Sequence, residues 1–163
     1  PAYLFLNDQA MTDFRTFARL SPPLRSDADR HASIAAVADG TIDVITSGHD
    51  PRGPEDKRLP FADASPGMAG AETLLALSLN LVREGHVSLN RLMTLLSANP
   101  AKILGVNAGS FAPGSAADLI LVDPDAPWIV DSTKMAASAG NTPFDKVPVQ
   151  GRARRIMKGG QFF

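Results

Sequence analysis

The 163-residue chain is 44% hydrophobic and 20% charged, with a formal net charge of −1 at pH 7. This composition is typical of a globular protein and excludes a disordered chain, and the length is sufficient to bury a core. The near-neutral charge leaves no excess of basic residues of the kind that binds nucleic acid or an anionic membrane. No apolar run approaches the ~18 residues that cross a bilayer. The absence of cysteine excludes disulfides and thiolate metal sites, and it leads us to expect a cytoplasmic protein.

The first part of the chain alternates strand-like and helical patterns. A short apolar run, residues 3–6, has the pattern of a strand. Ser26 is a candidate N-cap with Asp29 three residues later, which predicts a helix to about Ala38 that stops at the following Asp-Gly pair. The segment TIDVIT, residues 41–46, is short and β-branched and predicts a fully buried strand. A helix followed by a buried strand is typical of a parallel α/β sheet.

The second part contains two amphipathic helices and then several short strands. Apolar residues recur at helical spacing in AETLLALSLNLVRE (71–84) and in SLNRLMTLLSANP (88–100), in which Pro100 lies just past the predicted helix end. From residue 105 onward, ADLILVD, PWIV and RARRIM read as short strands separated by turns rich in proline and glycine. We therefore predict an α/β domain over 1–105 and a β domain over 106–163.

A loop after the predicted strand carries the residues most suited to catalysis or metal binding. In TSGHDPRGPEDKRLPF (46–61), His49 and Asp50 stand side by side at the end of an apolar run. A catalytic metal site needs about three His, Asp or Glu ligands that converge, and adjacent side chains point in different directions. The residues alone leave open whether His49 is functional, as a possible metal ligand, or structural, and they do not define a reaction.

Two further features have both a functional and a structural interpretation. SPGMAGAET (65–73) places two glycines before a helix, where backbone amides can hold an anion or a carbonyl, but a simple turn is an equal interpretation. Arg25 follows a double proline and could bind a carboxylate, although an isolated arginine in this position is more often structural.

Several motifs in chain order resemble one known family. They are SPPLRSDADR, ADGTIDVITSGHDP, EDKRLPFADASPGMAGAET, LSANPAKILGV, GSFAPGSAADLILVDPDAPWIV and NTPF…GR. Together they are similar to the carboxyl half of the dihydroorotase/cyclic amidohydrolase family. The resemblance implies the C-terminal part of a (β/α)₈ TIM-type barrel plus part of a small β-sandwich. It also implies zinc, which activates a water, and a strand-end aspartate that acts as ligand and general base.

The resemblance places the family's metal-binding positions on residues that cannot bind metal. The family's strand-six signature, Pro-His-His-Leu, reads Pro-Ala-Tyr-Leu here, so that Ala2 occupies the ligand position. The strand-eight signature, Asp-His-Ala-Pro-His, reads Gly-His-Asp-Pro-Arg, so that Gly48 stands where the family has its aspartate. Asp50 lies two residues further, on the same face of an extended chain but ~6 to 7 Å away, which is too far for an unaltered site, so it is a candidate substitute base only in a rearranged one.

The resemblance also places the family's substrate contacts. Ser21 stands where the family has an asparagine, and Arg52 stands where it has the histidine that contacts the substrate carboxylate. Backbone contacts to substrate map onto Pro66 and Gly67. Arg25 falls on the arginine of the strand-seven signature, Asn-Pro-Pro-Leu-Arg.

These substitutions favour one hypothesis and leave two rivals. We expect a catalytically degenerate dihydroorotase homologue of pyrimidine synthesis, lacking a complete zinc site, that serves as a scaffold subunit for aspartate transcarbamoylase. The first rival is an active hydrolase that uses Asp50 as base in a rearranged metal site. The second is a small-anion binder that uses Arg25, Arg52 and the Gly67 backbone.

The family architecture also predicts partners for the chain. A parallel barrel cannot close with the strands expected here, so we expect the remaining amino-terminal half of the same protein to complete it. We further expect a homo-oligomer and no nucleic-acid or membrane partner.

Overall fold

The chain folds as seven short helices followed by a three-stranded sheet. A computed structural model describes residues 1–163. The helices are α1 (Ala2–Phe5), α2 (Asp27–Asp39), α3 (Pro54–Arg58), α4 (Leu74–Ser78), α5 (Asn80–Arg83), α6 (Leu89–Met93) and α7 (Asn99–Leu104). The strands are β1 (Leu119–Ile129), β2 (Pro148–Lys158) and β3 (Gln161–Phe162). Tight 3₁₀ turns span Asp8–Met11, Thr16–Ala18 and Ser132–Lys134, and a π-helical turn spans Thr94–Ala98. No helix is both long and apolar enough to cross a membrane.

Helix α2 confirms the capping signals in the sequence. The Ser26 hydroxyl accepts a hydrogen bond from the Asp29 backbone N–H, and the Asp29 carboxylate accepts one from the Ser26 backbone N–H. This reciprocal pair satisfies two donors at the helix start. Gly40 ends the helix in the left-handed conformation, with φ of 92°, which a glycine adopts without steric cost.

Both strands predicted in the first part of the chain are wrong. Residues 2–5 form the short helix α1. Residues 41–46 form no strand ladder, and only Ile45 among them is buried. The reason is that a strand exists only with a hydrogen-bonded neighbour. The Ile45 N–H donates instead to the carbonyl of Leu95, at 3.2 Å.

The two predicted amphipathic helices are present, but the second is longer than expected. Helices α4 and α5 follow each other directly through Leu79, which keeps a helical conformation. The Ser88 cap starts α6 as predicted, accepting from the Arg91 N–H. Pro100 does not end the helical run, because a π-helical turn precedes it and places it in the first turn of α7, where its missing N–H is tolerated.

The sheet is antiparallel, in the order β1-β2-β3. The two short strands predicted from ADLILVD and PWIV are one strand, β1, whose register with β2 shifts between Asp123 and Pro127. The turn predicted at Pro124 is therefore a bulge in a continuous strand. At Gly151 a Cβ atom would lie 2.3 Å from a methyl carbon of Leu79, so glycine lets β2 pack closely on the helices.

Two apolar clusters form the core. The first joins residues from both predicted domains, and it contains Leu20, Met68 and Leu77 together with Phe144 and Val149. The second lies among the helices and consists of Ile34, Val37, Ile45, Leu79, Leu81, Val87, Leu92 and Leu95. Because the first cluster crosses residue 106, the segment before β2 is anchored against the helical part, close to the loops described next. The division into domains at 105/106 stays a prediction.

Candidate functional site

A cavity of about 230 Å³ brings together many of the residues that the sequence singled out. Its walls come from the first residues of the chain, the segment around Ser21, the loop after residue 45 and the glycine-rich turn. The lining residues are Pro1, Ala2, Tyr3, Leu20, Ser21, Pro22, Thr46, Ser47, Gly48, Asp50, Gly67 and Met68. Asp50 is the only acidic side chain among them.

Two loops form one side of this cavity and pack closely against each other. The loop 47–52 and the turn 66–71 form a single parallel bridge between His49 and Met68, and the Asp50 N–H donates to the Met68 carbonyl at 2.7 Å. Glycine is required at two points of the turn. A Cβ at Gly67 would lie 2.5 Å from the Asp50 carbonyl oxygen, and one at Gly70 would lie 2.3 Å from the Ser47 carbonyl oxygen. Glycine at these two positions therefore allows the backbones of the two loops to approach each other closely.

Asp50 is held by an arginine two residues away. The Arg52 Nη2 atom lies 2.6 Å from the Asp50 Oδ2 atom, and the Arg52 Nε–H donates to the Pro66 carbonyl at 2.9 Å. The two side chains remain 39% and 54% exposed, respectively. The guanidinium thus places a fixed positive charge beside the one carboxylate of the cavity. The Oδ1 atom of Asp50 accepts no hydrogen bond from the chain.

His49 is part of the packing between the two loops. Its Nδ1 atom accepts hydrogen bonds from the backbone N–H groups of Gly70, at 3.3 Å, and Ala71, at 3.2 Å. Both contacts require an unprotonated Nδ1, so this nitrogen is already occupied by internal partners. His49 does not line the cavity.

The backbone groups expected to contact substrate also have internal partners. The Gly67 N–H donates to the Arg19 carbonyl at 3.0 Å, and the Gly67 carbonyl accepts from the Asn141 side chain at 3.0 Å. The Pro66 carbonyl accepts from Arg52. Gly67 lines the cavity but has no backbone donor left for a ligand in this conformation.

Arg25 lies outside the cavity. Its guanidinium pairs with Asp29 at 3.7 Å and borders a separate cleft of about 180 Å³ beside the start of α2. The structure therefore does not bring Arg25 to the same cavity as Gly67, as a single anion site would need. Arg52 also does not line the cavity, since it approaches Asp50 from the side of the glycine-rich turn.

Two residues that sequence reasoning did not single out organise this region. Asn141 is buried and bonds to both loops, and its place in NTPF is the only signal for it in the sequence. Lys57 is 3% exposed, and its Nζ atom donates to the carbonyls of Thr16, at 3.1 Å, and Arg19, at 3.3 Å. Burial, together with the nearby charges of Arg19 and Arg52, lowers the pKa of the Lys57 amine to about 8.

The side chains around the cavity do not fit a zinc ion. Zinc sites in proteins use three or four His, Cys, Asp or Glu ligands, and no three such side chains of this chain come together. Ala2 and Gly48 carry no donor atom, and the Nδ1 atom of His49 is bonded to backbone N–H groups. The single carboxylate, Asp50, already has Arg52 as its counter-ion.

Sequence and structure comparisons identify the class of protein. Residues 11–162 match the amidohydrolase family, and the chain belongs to that family. Among curated relatives, dihydroorotase from Geobacter sp. (strain M21) is 43% identical over 161 residues, which are 99% of this chain and 38% of the relative. Dihydroorotase from Anaplasma phagocytophilum (strain HZ) is 35% identical over 99% of this chain and 36% of the relative.

Solved structures confirm the predicted fold class. L-hydantoinase (dihydropyrimidinase) from Arthrobacter aurescens superposes with a TM-score of 0.92 at 31% identity, over 99% of this chain and 37% of that chain. Dihydropyrimidinase from Brevibacillus agri NCHU1002 superposes with a TM-score of 0.90 at 27% identity, again over 99% and 37%. The chain thus corresponds to a portion of a TIM-barrel amidohydrolase. It spans 38% of the length of the Geobacter relative.

Proposed function

We propose that this chain is part of a dihydroorotase homologue of pyrimidine biosynthesis whose site no longer catalyses hydrolysis. One observation carries the proposal. The cavity wall presents Ala2 and Gly48 at the positions that the resemblance assigns to metal ligands, and its only carboxylate, Asp50, is paired with Arg52. The assignment to pyrimidine biosynthesis is inferred from the relatives that are dihydroorotases.

Electrostatics supports the loss of metal chemistry at this wall. The amidohydrolase family is generally metal-dependent. A cation near Asp50 would have to compete with a guanidinium at 2.6 Å that also bonds to Pro66, so it would gain less from the carboxylate and would meet like-charge repulsion. A zinc ion would need its other ligands from residues outside this chain.

The protein would then serve as a scaffold, with aspartate transcarbamoylase as the partner. The structural framework supports this function, because the capped helix α2, both apolar clusters and the closely packed loops are all intact. A scaffold subunit needs its folded surface but not its metal-binding side chains, so such features can be kept while the metal ligands are lost. The choice of partner follows from the family resemblance.

The amino-terminal half of the same protein is the first partner that we propose, with a homo-oligomer as the assembled form. Exposed apolar side chains on the sheet support the proposal that another protein segment packs there. Ile120 is 55% exposed, Leu121 is 62% exposed and Ile156 is 48% exposed. Ile120 and Ile156 are cross-strand partners on one face, and Leu121 points to the other face, so each face of the sheet has apolar surface that another protein segment can cover.

A second candidate function has one observation in its favour. Asp50 lines the cavity, and its Oδ1 atom has no internal hydrogen-bond donor, so the carboxylate can accept a proton from a bound water. An active dihydroorotase that uses Asp50 as the general base would then hydrolyse dihydroorotate to N-carbamoyl-aspartate with a rearranged metal site.

Metal analysis and a dihydroorotate hydrolysis assay on the full-length protein separate the two functions. The degenerate protein is expected to bind substoichiometric zinc and to show no turnover above the Asp50→Asn variant. Stoichiometric zinc, with turnover that Asp50→Asn abolishes, would overturn the proposal in favour of the active hydrolase.

Gly48→Asp is the matched gain-of-ligand variant. A Cβ at Gly48 meets no atom within 4 Å, and the φ of 61° is one that aspartate tolerates better than most residues. We expect this variant to fold and to bind more zinc than the wild type, because it returns the carboxylate that the family uses. Co-purification with aspartate transcarbamoylase tests the scaffold function separately, and a protein that never associates with it would refute that part.

A further inference from the structure

Asn141 connects the two loops that form the candidate site. Its Oδ1 atom accepts a hydrogen bond from the Arg52 backbone N–H at 2.8 Å, and its Nδ2 atom donates to the Gly67 carbonyl at 3.0 Å. Its own backbone carbonyl accepts from the Ala69 N–H at 2.8 Å. The residue is 4% exposed, so these three bonds replace water that cannot reach it.

The segment that carries Asn141 is closely packed on both sides of this residue. At Gly140 a Cβ atom would lie 2.0 Å from the Ser132 carbonyl oxygen, so the backbone just before Asn141 packs directly against Ser132. Phe144, three residues later, is fully buried and packs edge-to-face on Phe5 with ring centroids 5.5 Å apart. Asn141 is therefore presented beside the first apolar cluster, which also contains Met68 of the turn 66–71.

The bonds of Asn141 control where Asp50 lies. Arg52 is held at its backbone N–H by Asn141 and at its Nε atom by Pro66, and these two contacts aim the guanidinium at Asp50. Gly67, the other partner of Asn141, lies so close to Asp50 that a Cβ would come within 2.8 Å of its Oδ2 atom. A shift of either loop would displace the carboxylate.

We infer that Asn141 is a positioning residue of the candidate site, which fixes Asp50 through Arg52 and Gly67 without any bound ion. The amide matches this arrangement at every pH, because Arg52 presents an N–H and Gly67 presents a carbonyl, whereas an ionised carboxylate can only accept. The inference rests on the proposed function only for the location of the site, and it holds whether the site is degenerate or active.

Asn141→Asp tests the inference by a pH-dependent loss of protection that is confined to the two loops, whereas a residue that only stabilises the fold would affect helix α2 equally. Above the pKa of the new carboxyl, the carboxylate still accepts from Arg52 but faces the Gly67 carbonyl with no proton to donate. The amide hydrogens of Asp50 and Arg52 should then lose about tenfold in exchange protection, the equivalent of one hydrogen bond. Below that pKa the protonated acid donates to Gly67, and protection should return.

Asn99→Asp is the matched control. The Asn99 Nδ2 atom donates to the Asp43 carbonyl at 2.8 Å, away from the cavity, so this variant should leave the protection of Asp50 and Arg52 unchanged. Unchanged protection in Asn141→Asp at every pH, or a loss that extends equally to helix α2, would overturn the inference.

The wild-type protein offers a second test that needs no variant. Protection of Asp50 and Arg52 should be the same with and without excess EDTA, because protein groups alone hold the loops. A loss of protection on chelation would refute the ion-independent part of the inference. Measured hydrolase turnover would overturn the proposed function and leave this inference intact, so the two failures are distinguishable.

Discussion

Lys57 provides the sharpest quantitative prediction, because it is a buried amine with a perturbed pKa. In the folded protein, burial and the nearby Arg19 and Arg52 lower the pKa of Lys57 from 10.5 to about 8. Between these two values the unfolded chain binds more protons than the folded one. The free energy of unfolding therefore rises as the pH increases through this window, and the cost of burying the charged amine is fully present below about pH 8.

The magnitude follows from the two pKa values. The pKa falls from 10.5 to about 8, and each pKa unit corresponds to ~1.4 kcal/mol, so the free energy of unfolding can rise by at most about 3 kcal/mol. Between about pH 7 and about pH 10, we expect the stability of the wild type relative to Lys57→Met to increase by about 2 to 3 kcal/mol. Subtraction of the methionine variant removes every pH dependence that the two proteins share.

Chemical denaturation of both proteins across that pH range is the assay. Lys57→Met also removes one donor from each of the Thr16 and Arg19 carbonyls, which keep their backbone donors, and this loss lowers stability equally at every pH and does not affect the slope. A stability difference that stays constant over the whole range would refute the reasoning. If the variant does not fold, an NMR titration of the Lys57 side chain in the wild type should show a midpoint of about 8.

Two further predictions concern packing. Gly67→Ala places a Cβ 2.5 Å from the Asp50 carbonyl oxygen at a φ of 131°, so chemical denaturation should show a loss of about 3 kcal/mol or more. Gly85→Ala, which has a φ of 76° and open space, should lose only about 1 kcal/mol, and equal losses would contradict the predicted clash. Ser78→Ala should stabilise the protein by about 1 kcal/mol, because the buried Ser78 hydroxyl has no partner. Thr73→Val should destabilise it, since the Thr73 hydroxyl donates to a backbone carbonyl, and thermal unfolding that moved both variants in the same direction would refute this account.

Local signals in the sequence determined the parts of the fold that local chemistry controls. Ser26 and Asp29 predict the start of α2, and the apolar spacing predicts the helices over 74–83, because capping bonds and amphipathic faces lie within a few residues of each other. Family motifs in chain order identified the barrel class, which the comparisons confirm.

Strands were harder to predict, because their hydrogen bonds lie on other segments. The segment 41–46 has the composition of a buried strand, yet no neighbour in this chain pairs with it. In the same way, the proline in DPDAP predicted a turn, whereas pairing with β2 carries β1 through that region as a bulged strand.

The same distinction between local sequence and tertiary packing applies to the candidate site. The sequence alone determined which side chains the cavity lacks, because glycine at residue 48 and alanine at residue 2 have no donor atoms in any fold. Only the tertiary structure decided how the remaining groups are used. It pairs Asp50 with Arg52, and it brings Asn141 from far along the chain between the two loops. Hydrogen bonds across such separations depend on how distant segments pack, which no local pattern encodes.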